Sequence, residues 1–362
     1  MSKIIAIGTA NPPFCHQQTD IMHFMLEANN PDEKTKKLLP ILYHRSGIDT
    51  RYSVFPDFSL PPEQWNFFGN HSSIPTLEKR MALYNEAATN LSIEAINNCL
   101  QNTDIKEITH LITVTCTGIS APGIDIFLVQ KLGLSPNIVR TSINFMGCYA
   151  AIHALKIADA FCRADASAKV LVVCTELCTL HFQQSNDVDA VLSSTLFADG
   201  SAACLISSEK NVKGLEIKQF YSQLALSGQA DMAWQLSSTG FLMTLSNHVP
   251  KLIKQEIKQL LDNSLQKLNL SAENITDWAI HPGGKNILEA VETSLDLNRN
   301  NLSKSYEVLK KYGNMSSPTI LFVIKEMMNE IFATDFDQSK QRNIFAVAFG
   351  PGITMESVIL EK

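Results

Sequence analysis

The stretch 109-THLITVTCTGISAPGIDIFLVQKLG-133 predicts a strand, a loop and a helix in that order. Its first part is rich in β-branched residues, residues 117–123 are punctuated by glycine and proline, and residues 124–133 form an apolar segment. A strand that ends near Phe145 and a helix that begins near Cys148 come next. Strands that alternate with helices in this way indicate a layered α/β fold.

The same order of elements recurs downstream. Segments 107-EITHLITVTC-116 and 274-NITDWAIHPG-283 each place an Ile-Thr pair before an apolar strand. An apolar helix predicted over residues 313–331 then corresponds to the helix near Cys148. We interpret this as a weak internal repeat. We therefore expect two similar halves, in which Cys148 and Asn314 open equivalent helices.

Composition limits the class of protein. The chain has 362 residues, of which 45% are hydrophobic and 18% charged, as in a soluble protein of two domains or one duplicated domain. Its apolar runs are shorter than the ~18 residues of a membrane span, and no secretory signal opens it. We expect a cytoplasmic protein without a membrane partner. The net charge is −6 and no basic run occurs, which argues against nucleic-acid binding.

The eight cysteines do not predict a metal site or a disulfide framework. The close pair Cys174 and Cys178 has no second pair to complete a zinc site. Most of the cysteines lie in apolar runs, as expected of reduced, buried thiols. Taken alone, Cys148 would also fit a buried structural thiol.

Three polar residues stand at the ends of predicted elements: Cys148, His281 in 278-WAIHPGG-284 and Asn314 in 312-YGNMSSP-318. A histidine close to a cysteine converts the thiol to a thiolate, which a helix N-terminus stabilises. An imidazole and a carboxamide can donate hydrogen bonds to an oxyanion. Individually, His281 would fit a core histidine and Asn314 a helix N-cap. Together they suit acyl capture on sulfur, followed by carbon–carbon bond formation or hydrolysis.

These residues resemble the type III polyketide synthases, the chalcone/stilbene synthase-like branch of the thiolase-fold condensing enzymes. The matching motifs, in the family's order, are 147-GC-148, 170-VLVVCTE-176, 196-LFADG-200, 280-IHPGG-284, 312-YGNMSSP-318 and 349-FGPG-352. The resemblance covers essentially the whole chain. It implies a thiolase-like layered αβαβα fold of two similar halves, with the cysteine in residues 1–212 and the histidine and asparagine in residues 213–362.

The resemblance also implies roles for single residues. Cys148 would be the acyl-accepting nucleophile. His281 and Asn314 would form the oxyanion hole and stabilise the carbanion that malonyl-CoA yields on losing CO2. Phe197 matches the family's phenylalanine that gates the coenzyme A tunnel, and Met243 replaces a second gating phenylalanine.

The coenzyme A site matches the family only in part. Arg45 falls on one of the family's phosphate-binding cations, whereas two others fall on Leu38 and Ile41. Lys36 or Lys37, on the same predicted helix, is the suggested substitute.

The resemblance places a further set of residues at the substrate cavity: Cys116, Ala121, Cys178, His181, Trp234, Gly283, Gly284, Ser316, Gly350, Pro351 and Gly352. A bulky side chain at Trp234 reduces the cavity volume and favours a small starter, malonyl-CoA itself included. Long-chain acyl starters remain an alternative.

Other functions compete with a polyketide synthase. They are an enzyme of single condensation like ketoacyl synthase III, a cysteine-dependent acyl-CoA hydrolase, and an inactive binding subunit. Asn314 favours a synthase over a hydrolase, because no Asp or Glu accompanies either motif to orient His281. The resemblance further implies a homodimer in which the loop 117–123, through Ala121 and Pro122, approaches the partner's cavity. No metal, nicotinamide or flavin motif is visible, so we expect no resident cofactor, with coenzyme A arriving as part of the substrates.

Overall fold

The computed structural model describes residues 1–29, 31–69, 75–183, 185, 187–333 and 341–362. The strands are β1 (Lys3–Ala10), β2 (Phe14–Gln17), β3 (Thr50–Ser53), β4 (His110–Thr115), β5 (Val139–Asn144), β6 (Lys169–Leu177), β7 (Asp199–Ser207), β8 (Leu215–Leu224), β9 (Met232–Ser237), β10 (Gly240–Leu245), β11 (Asp277–Ile280), β12 (Asn343–Gly350) and β13 (Thr354–Glu361). The helices are α1 (Gln18–Asn29), α2 (Glu33–Arg45), α3 (Leu77–Cys99), α4 (Ile124–Leu132), α5 (Ala150–Ala164), α6 (Val188–Ser194), α7 (Val249–Gln266), α8 (Lys285–Leu295), α9 (Ser303–Tyr312) and α10 (Thr319–Ile331).

Nine strands form one mixed sheet in the order β11-β12-β13-β8-β1-β7-β6-β4-β5. Outward from its centre, β1-β7-β6-β4 and β8-β13-β12-β11 repeat one plan, with two antiparallel pairings followed by a parallel one. The two parts join where β1 pairs with β8. The predicted similarity of the two halves is thus confirmed in the strand order. The boundary at residue 212 stays a prediction.

The layers follow from the alternation of side chains along the strands. In β12, Ile344, Ala346 and Ala348 face a core that also contains residues of α5 and α10. The alternate side chains of β12 pack with α7 and α8 on the opposite face. Helix α3 covers the corresponding outer face of β6 and β7. Helix α10 is buried on nearly all sides, as a helix between two layers must be. The two parts of the sheet thus form two β layers on either side of α5 and α10, and the predicted αβαβα layering is confirmed.

One predicted helix boundary was wrong. Helix α5 begins at Ala150, directly behind the segment of Cys148, but α10 begins only at Thr319. Asn314 instead pairs with Phe197 as an isolated β-bridge, and Ser316 has a φ of 61°, which a helix cannot contain. Cys148 therefore lies just before α5, whereas Asn314 is separated from the start of α10 and does not open that helix.

The sheet places chemically useful residues at the ends of its strands. Cys116 directly follows β4, Cys178 follows β6, His281 follows β11 and Pro351 follows β12. Strands β4 and β6 are parallel, as are β11 and β12, so each pair delivers two of these residues to one edge. None of the described helices combines the length and apolarity that a bilayer span requires.

Candidate active site

Cys148, His281 and Asn314 line one cavity of about 30 Å³. All three residues are buried. The Cys148 Sγ lies 3.9 Å from the Asn314 Oδ1. The fold thus brings together the three residues singled out in the sequence, one from the first half and two from the second.

Close backbone approach places Cys148 at the boundary between the halves. Gly147 has a φ of 79°, and a Cβ there would overlap the ring of Pro351. A Cβ on Gly350 would overlap Tyr149 and come within 3.4 Å of the Cys148 backbone nitrogen. Glycine at both positions therefore allows the loop after β12 to contact the segment of Cys148.

Burial of the cavity acts against the predicted thiolate. Burial raises the pKa of the Cys148 thiol to about 11, against the hydrogen bonds of Ser316 and Asn314, and the charge of Glu176 adds to the rise. Burial lowers the pKa of His281 to about 3. The desolvated cavity therefore favours the neutral form of each group.

The imidazole of His281 is available to a ligand. Its Nδ1 and Nε2 are buried, and neither has a hydrogen-bond partner in the part of the chain that the structure describes. A buried polar atom without a partner is costly, so this ring is suited to bonding a group that enters the cavity.

The Asn314 carboxamide is held in a fixed orientation. Its Nδ2 donates to the Gly283 carbonyl at 3.2 Å, and its Oδ1 accepts from the Ser316 backbone at 2.8 Å. Its own backbone pairs with Leu196 and Ala198, at 2.9 Å for each bond. Asn314 therefore does not serve as the N-cap of α10, but its second Nδ2 hydrogen remains for a substrate oxygen.

Most of the other sequence-predicted residues share this cavity: Cys116, Cys178, Phe197, Trp234, Met243, Gly283, Ser316 and Pro351. Four of them also border a second cavity of about 490 Å³, namely Cys178, Phe197, Trp234 and Met243. The Trp234 Nε1 donates to the Cys116 carbonyl at 2.6 Å, which fixes the indole in this shared wall.

His181 is placed differently from the prediction. It borders the larger cavity but not the one of Cys148. Its Nε2 lies 2.7 Å from the Thr117 carbonyl, its Nδ1 accepts from the Phe241 backbone at 3.1 Å, and its ring stacks on Phe241. Burial lowers its pKa to about 3. With both nitrogens occupied, His181 connects the β9–β10 hairpin to the body of the protein and is not free to bond substrate.

Three other predicted residues border none of the cavities described here. Gly350 makes the close contact with Tyr149, Gly352 adopts a φ of 71° in the turn before β13, and Ala121 lies in the exposed loop after β4. Gly350 and Gly352 shape the loop that carries Pro351, and only Pro351 reaches the cavity.

A third cavity, of about 300 Å³, contains Arg45 and Gly284 together with Lys285, which the sequence reasoning missed. This third cavity adjoins the cavity of Cys148, because Leu245, Gly283 and Ile287 line both. The Lys285 stem packs beside Gly47, close to Arg45 in the chain. A cation directly after the IHPGG motif was the available sequence signal.

Lys36 and Lys37, the suggested substitutes, do not line this third cavity. Lys36 instead pairs with Glu33 at 3.4 Å on α2. A phosphate contact of Lys36 or Lys37 stays a prediction, and Lys285 is a lysine that shares this cavity with Arg45.

Glu176 is a second residue that the sequence reasoning missed. It is fully buried and accepts hydrogen bonds from the Cys116 backbone at 2.9 Å, the Thr117 hydroxyl at 2.8 Å and the Ser317 hydroxyl at 2.6 Å. Burial raises its pKa, and these hydrogen bonds oppose the rise. The site therefore contains a carboxylate, but its hydrogen bonds tie the loops together and do not include His281.

Comparisons with known proteins cover the whole site. The family model of the N-terminal domain of chalcone and stilbene synthases matches residues 1–210, and that of the C-terminal domain matches residues 216–362. The alpha-pyrone synthesis polyketide synthase-like protein Pks18 of Mycobacterium tuberculosis is 32% identical over 337 residues, which cover 91% of this chain and 84% of Pks18.

Solved structures agree with the sequence comparison. PKS-I from the brown alga Ectocarpus siliculosus superposes with a TM-score of 0.89 at 26% identity, covering 100% of this chain and 98% of the other. The C-terminal type III polyketide synthase domain of Steely1 from Dictyostelium gives a TM-score of 0.88 at 27% identity, covering 100% and 99%. This chain is therefore a member of the chalcone and stilbene synthase family, the type III polyketide synthases, which act by acyl transfer and condensation.

Proposed function

We propose that Cys148 accepts an acyl group from a coenzyme A thioester, that malonyl-CoA extends it by decarboxylative condensation, and that the product cyclises. The observation that carries this proposal is the cavity that Cys148 shares with the unpartnered imidazole of His281 and with the oriented carboxamide of Asn314, 3.9 Å from the sulfur. Its substrates are coenzyme A thioesters, and no resident cofactor takes part.

The loading step begins with Cys148 as a thiol and His281 as an uncharged imidazole. As the Cys148 sulfur attacks the thioester carbonyl, its proton passes to His281, and the carbonyl becomes an oxyanion. The backbone N–H of Cys148, which hydrogen-bonds its own sulfur, is the donor to that oxyanion. The carbon–sulfur bond of the thioester then breaks, and the coenzyme A thiolate leaves with the proton from His281. Cys148 is left as the acyl thioester.

The extension step uses His281 and Asn314 as its hydrogen-bond donors. Malonyl-CoA loses CO2, and the electron pair of the broken bond forms an enolate whose oxygen accepts hydrogen bonds from His281 and Asn314. The enolate carbon attacks the acyl carbonyl on Cys148, and the Cys148 thiolate leaves. Phe197, which borders both the catalytic and the larger cavity, is positioned to exclude water from these steps.

We propose that coenzyme A enters through the third cavity, with Arg45 and Lys285 facing its phosphates. The wall that this cavity shares with the catalytic one lets a pantetheine chain reach Cys148. Replacing Lys285 by Ala should raise the KM for malonyl-CoA about three- to tenfold and leave kcat nearly unchanged, because a phosphate contact contributes equally to substrate and transition state.

The matched control is Lys36→Ala on α2, because Lys36, like Lys285, pairs with a glutamate of its own helix but lies outside the cavity. Steady-state kinetics of both variants at several salt concentrations check the assignment. A larger KM increase in Lys36→Ala than in Lys285→Ala would assign the phosphate contact to α2.

We propose a small starter, with malonyl-CoA itself a candidate. The free volume near Cys148 is only about 30 Å³, and Trp234 stands between it and the cavity of about 490 Å³. Replacing Trp234 by Ala should join the two spaces. We expect kcat/KM for a long-chain acyl-CoA starter to rise at least about tenfold relative to a short one, because each accommodated methylene contributes ~1 kcal/mol or more.

Mass spectrometry of products from a panel of acyl-CoA starters measures this change and identifies the starter. The control Trp234→Phe keeps an aromatic ring in the wall but loses the hydrogen bond to the Cys116 carbonyl, so it should retain the short preference. Long starters used equally well by the wild type and by Trp234→Ala would show that the indole does not limit chain length.

Three further expectations stay predictions: the homodimer, the cytoplasmic location and the absence of nucleic-acid binding. For the homodimer, supporting observations are that β5 is an edge strand of the sheet and that Val139 on it and Ile119 in the loop after β4 are exposed. A partner covering this edge would bring its own copy of the loop 117–123 near the interface.

A further inference from the structure

Two buried side chains near the N-terminus hold the segment that carries Phe197. Arg51 Nη1 donates to the Ser194 carbonyl at 2.8 Å and to the Phe197 carbonyl at 2.7 Å. Gln18 Nε2 donates to the Thr195 carbonyl at 2.8 Å, and its Oε1 accepts from Arg51 Nε at 2.8 Å. We call Gln18 and Arg51 the carbonyl clamp. The clamp bonds the carbonyl groups of Ser194, Thr195 and Phe197, which lie in one short segment that begins at the end of α6.

The carbonyl clamp also reaches the segment of Asn314. Phe197 and Asn314 form a β-bridge. The segment whose carbonyl groups accept from the clamp is therefore the one that pairs with Asn314. A Cβ on Gly313 would come within 2.8 Å of the Arg51 Cγ, which places the arginine stem directly against the residue before Asn314. Arg51 therefore contacts both sides of the bridge that carries the carboxamide.

The hydrogen bonds of Arg51 are more directional than a side chain that only fills space would need. Arg51 is 2% exposed, and the described residues provide no carboxylate within ion-pair distance of it. Burial lowers its pKa, an effect that Tyr43 and Asp199 oppose. A buried cation without an ion pair is a costly way to fill space, whereas a planar guanidinium can bond several acceptors in one fixed geometry.

We propose that Arg51, oriented by Gln18, is a positioning residue that fixes the Asn314 carboxamide and the Phe197 gate for decarboxylation of malonyl-CoA. The inference rests on the proposed roles of Cys148 and Asn314. Cys148 lies on the segment before α5, which the clamp does not contact, so acyl loading depends on the clamp much less than decarboxylation does. A displacement of about 1 Å in a positioned donor can lower a rate about 100-fold.

The test is Arg51→Lys, which keeps a cation but cannot reproduce the planar set of three hydrogen bonds. We expect decarboxylation of malonyl-CoA to fall about 10- to 100-fold. Formation of acyl-Cys148, followed by intact-protein mass spectrometry, should change by less than about threefold because the sulfur keeps its position. If Arg51→Lys does not fold, Gln18→Met decides instead, because it leaves Arg51 in place and should shift the same ratio in the same direction.

Arg80→Lys is the matched control. Arg80 is equally buried, and it also donates to backbone carbonyls, those of Pro75, Leu180 and Phe182, but it does not touch the segment 194–198. We expect it to lower thermal stability and to leave the ratio of decarboxylation to loading unchanged.

The two proposals can fail separately. If the wild type neither loads an acyl group on Cys148 nor decarboxylates malonyl-CoA, the proposed function is wrong. If the wild type does both, and the clamp variants change the two rates equally or change neither, the positioning role is wrong and the proposed function stands.

Discussion

Replacing Cys148 by Ala is expected to abolish polyketide formation and acyl loading while malonyl-CoA decarboxylation continues. The sulfur is the only proposed attachment point for the acyl chain, so condensation has no electrophile without it. His281 and Asn314 keep their places, because the Asn314 carboxamide is held by Gly283 and Ser316 rather than by the thiol. Release of CO2 and of coenzyme A products, measured side by side, separates the two activities.

Cys174→Ala is the control for this variant. Cys174 is a buried thiol within β6 and lies outside the catalytic cavity, so its replacement should leave polyketide formation intact. Condensing activity near the wild-type level in Cys148→Ala would contradict the assignment of the nucleophile.

Replacing Asn314 by Ala is expected to lower malonyl-CoA decarboxylation about 10²- to 10³-fold, the loss that follows removal of one positioned oxyanion donor. The carboxamide has one Nδ2 hydrogen on the Gly283 carbonyl and a second directed to substrate in our proposal. The enolate oxygen is bound by His281 and Asn314, whereas the oxyanion of acyl loading forms at the Cys148 backbone, so decarboxylation should lose more than acyl loading does.

A second substitution separates catalysis from structure. Asn314→Asp keeps an oxygen that can accept from the Ser316 backbone, and its carboxyl group has no hydrogen to donate once the pH is high enough to ionise it in this buried site. In that pH range it should be as slow in decarboxylation as Asn314→Ala. Decarboxylation at the wild-type rate in Asn314→Asp would show that the donor is not needed.

The parts of the molecule that depend on local pattern could be predicted from the sequence. Strand and helix signals predicted the alternation of elements. The motifs at the ends of predicted elements singled out Cys148, His281 and Asn314, which line one cavity in the structure. The start of α10 was wrong because the β-bridge between Asn314 and Phe197 joins residues far apart in the chain, and no local signal announces it.

The remaining features depend on burial and long-range contacts. Glu176 meets Ser317 only because β6 ends beside the second half, and Arg51 meets Phe197 only because β3 packs beside the start of β7. The raised pKa of the Cys148 thiol follows from desolvation, which a sequence motif does not report. His181 was predicted as a cavity residue, but its two backbone partners became apparent only in the fold.

The most direct test of the account is to locate the acyl adduct. The protein is incubated with an acyl-CoA starter in the absence of malonyl-CoA, digested under mild conditions and mapped by mass spectrometry across its eight cysteines. We predict one acyl group on the peptide that carries Cys148 and none on those of Cys116 and Cys178, which line the same cavity. An adduct confined to another cysteine, or product formation with no acylated Cys148 at any time, would contradict the account.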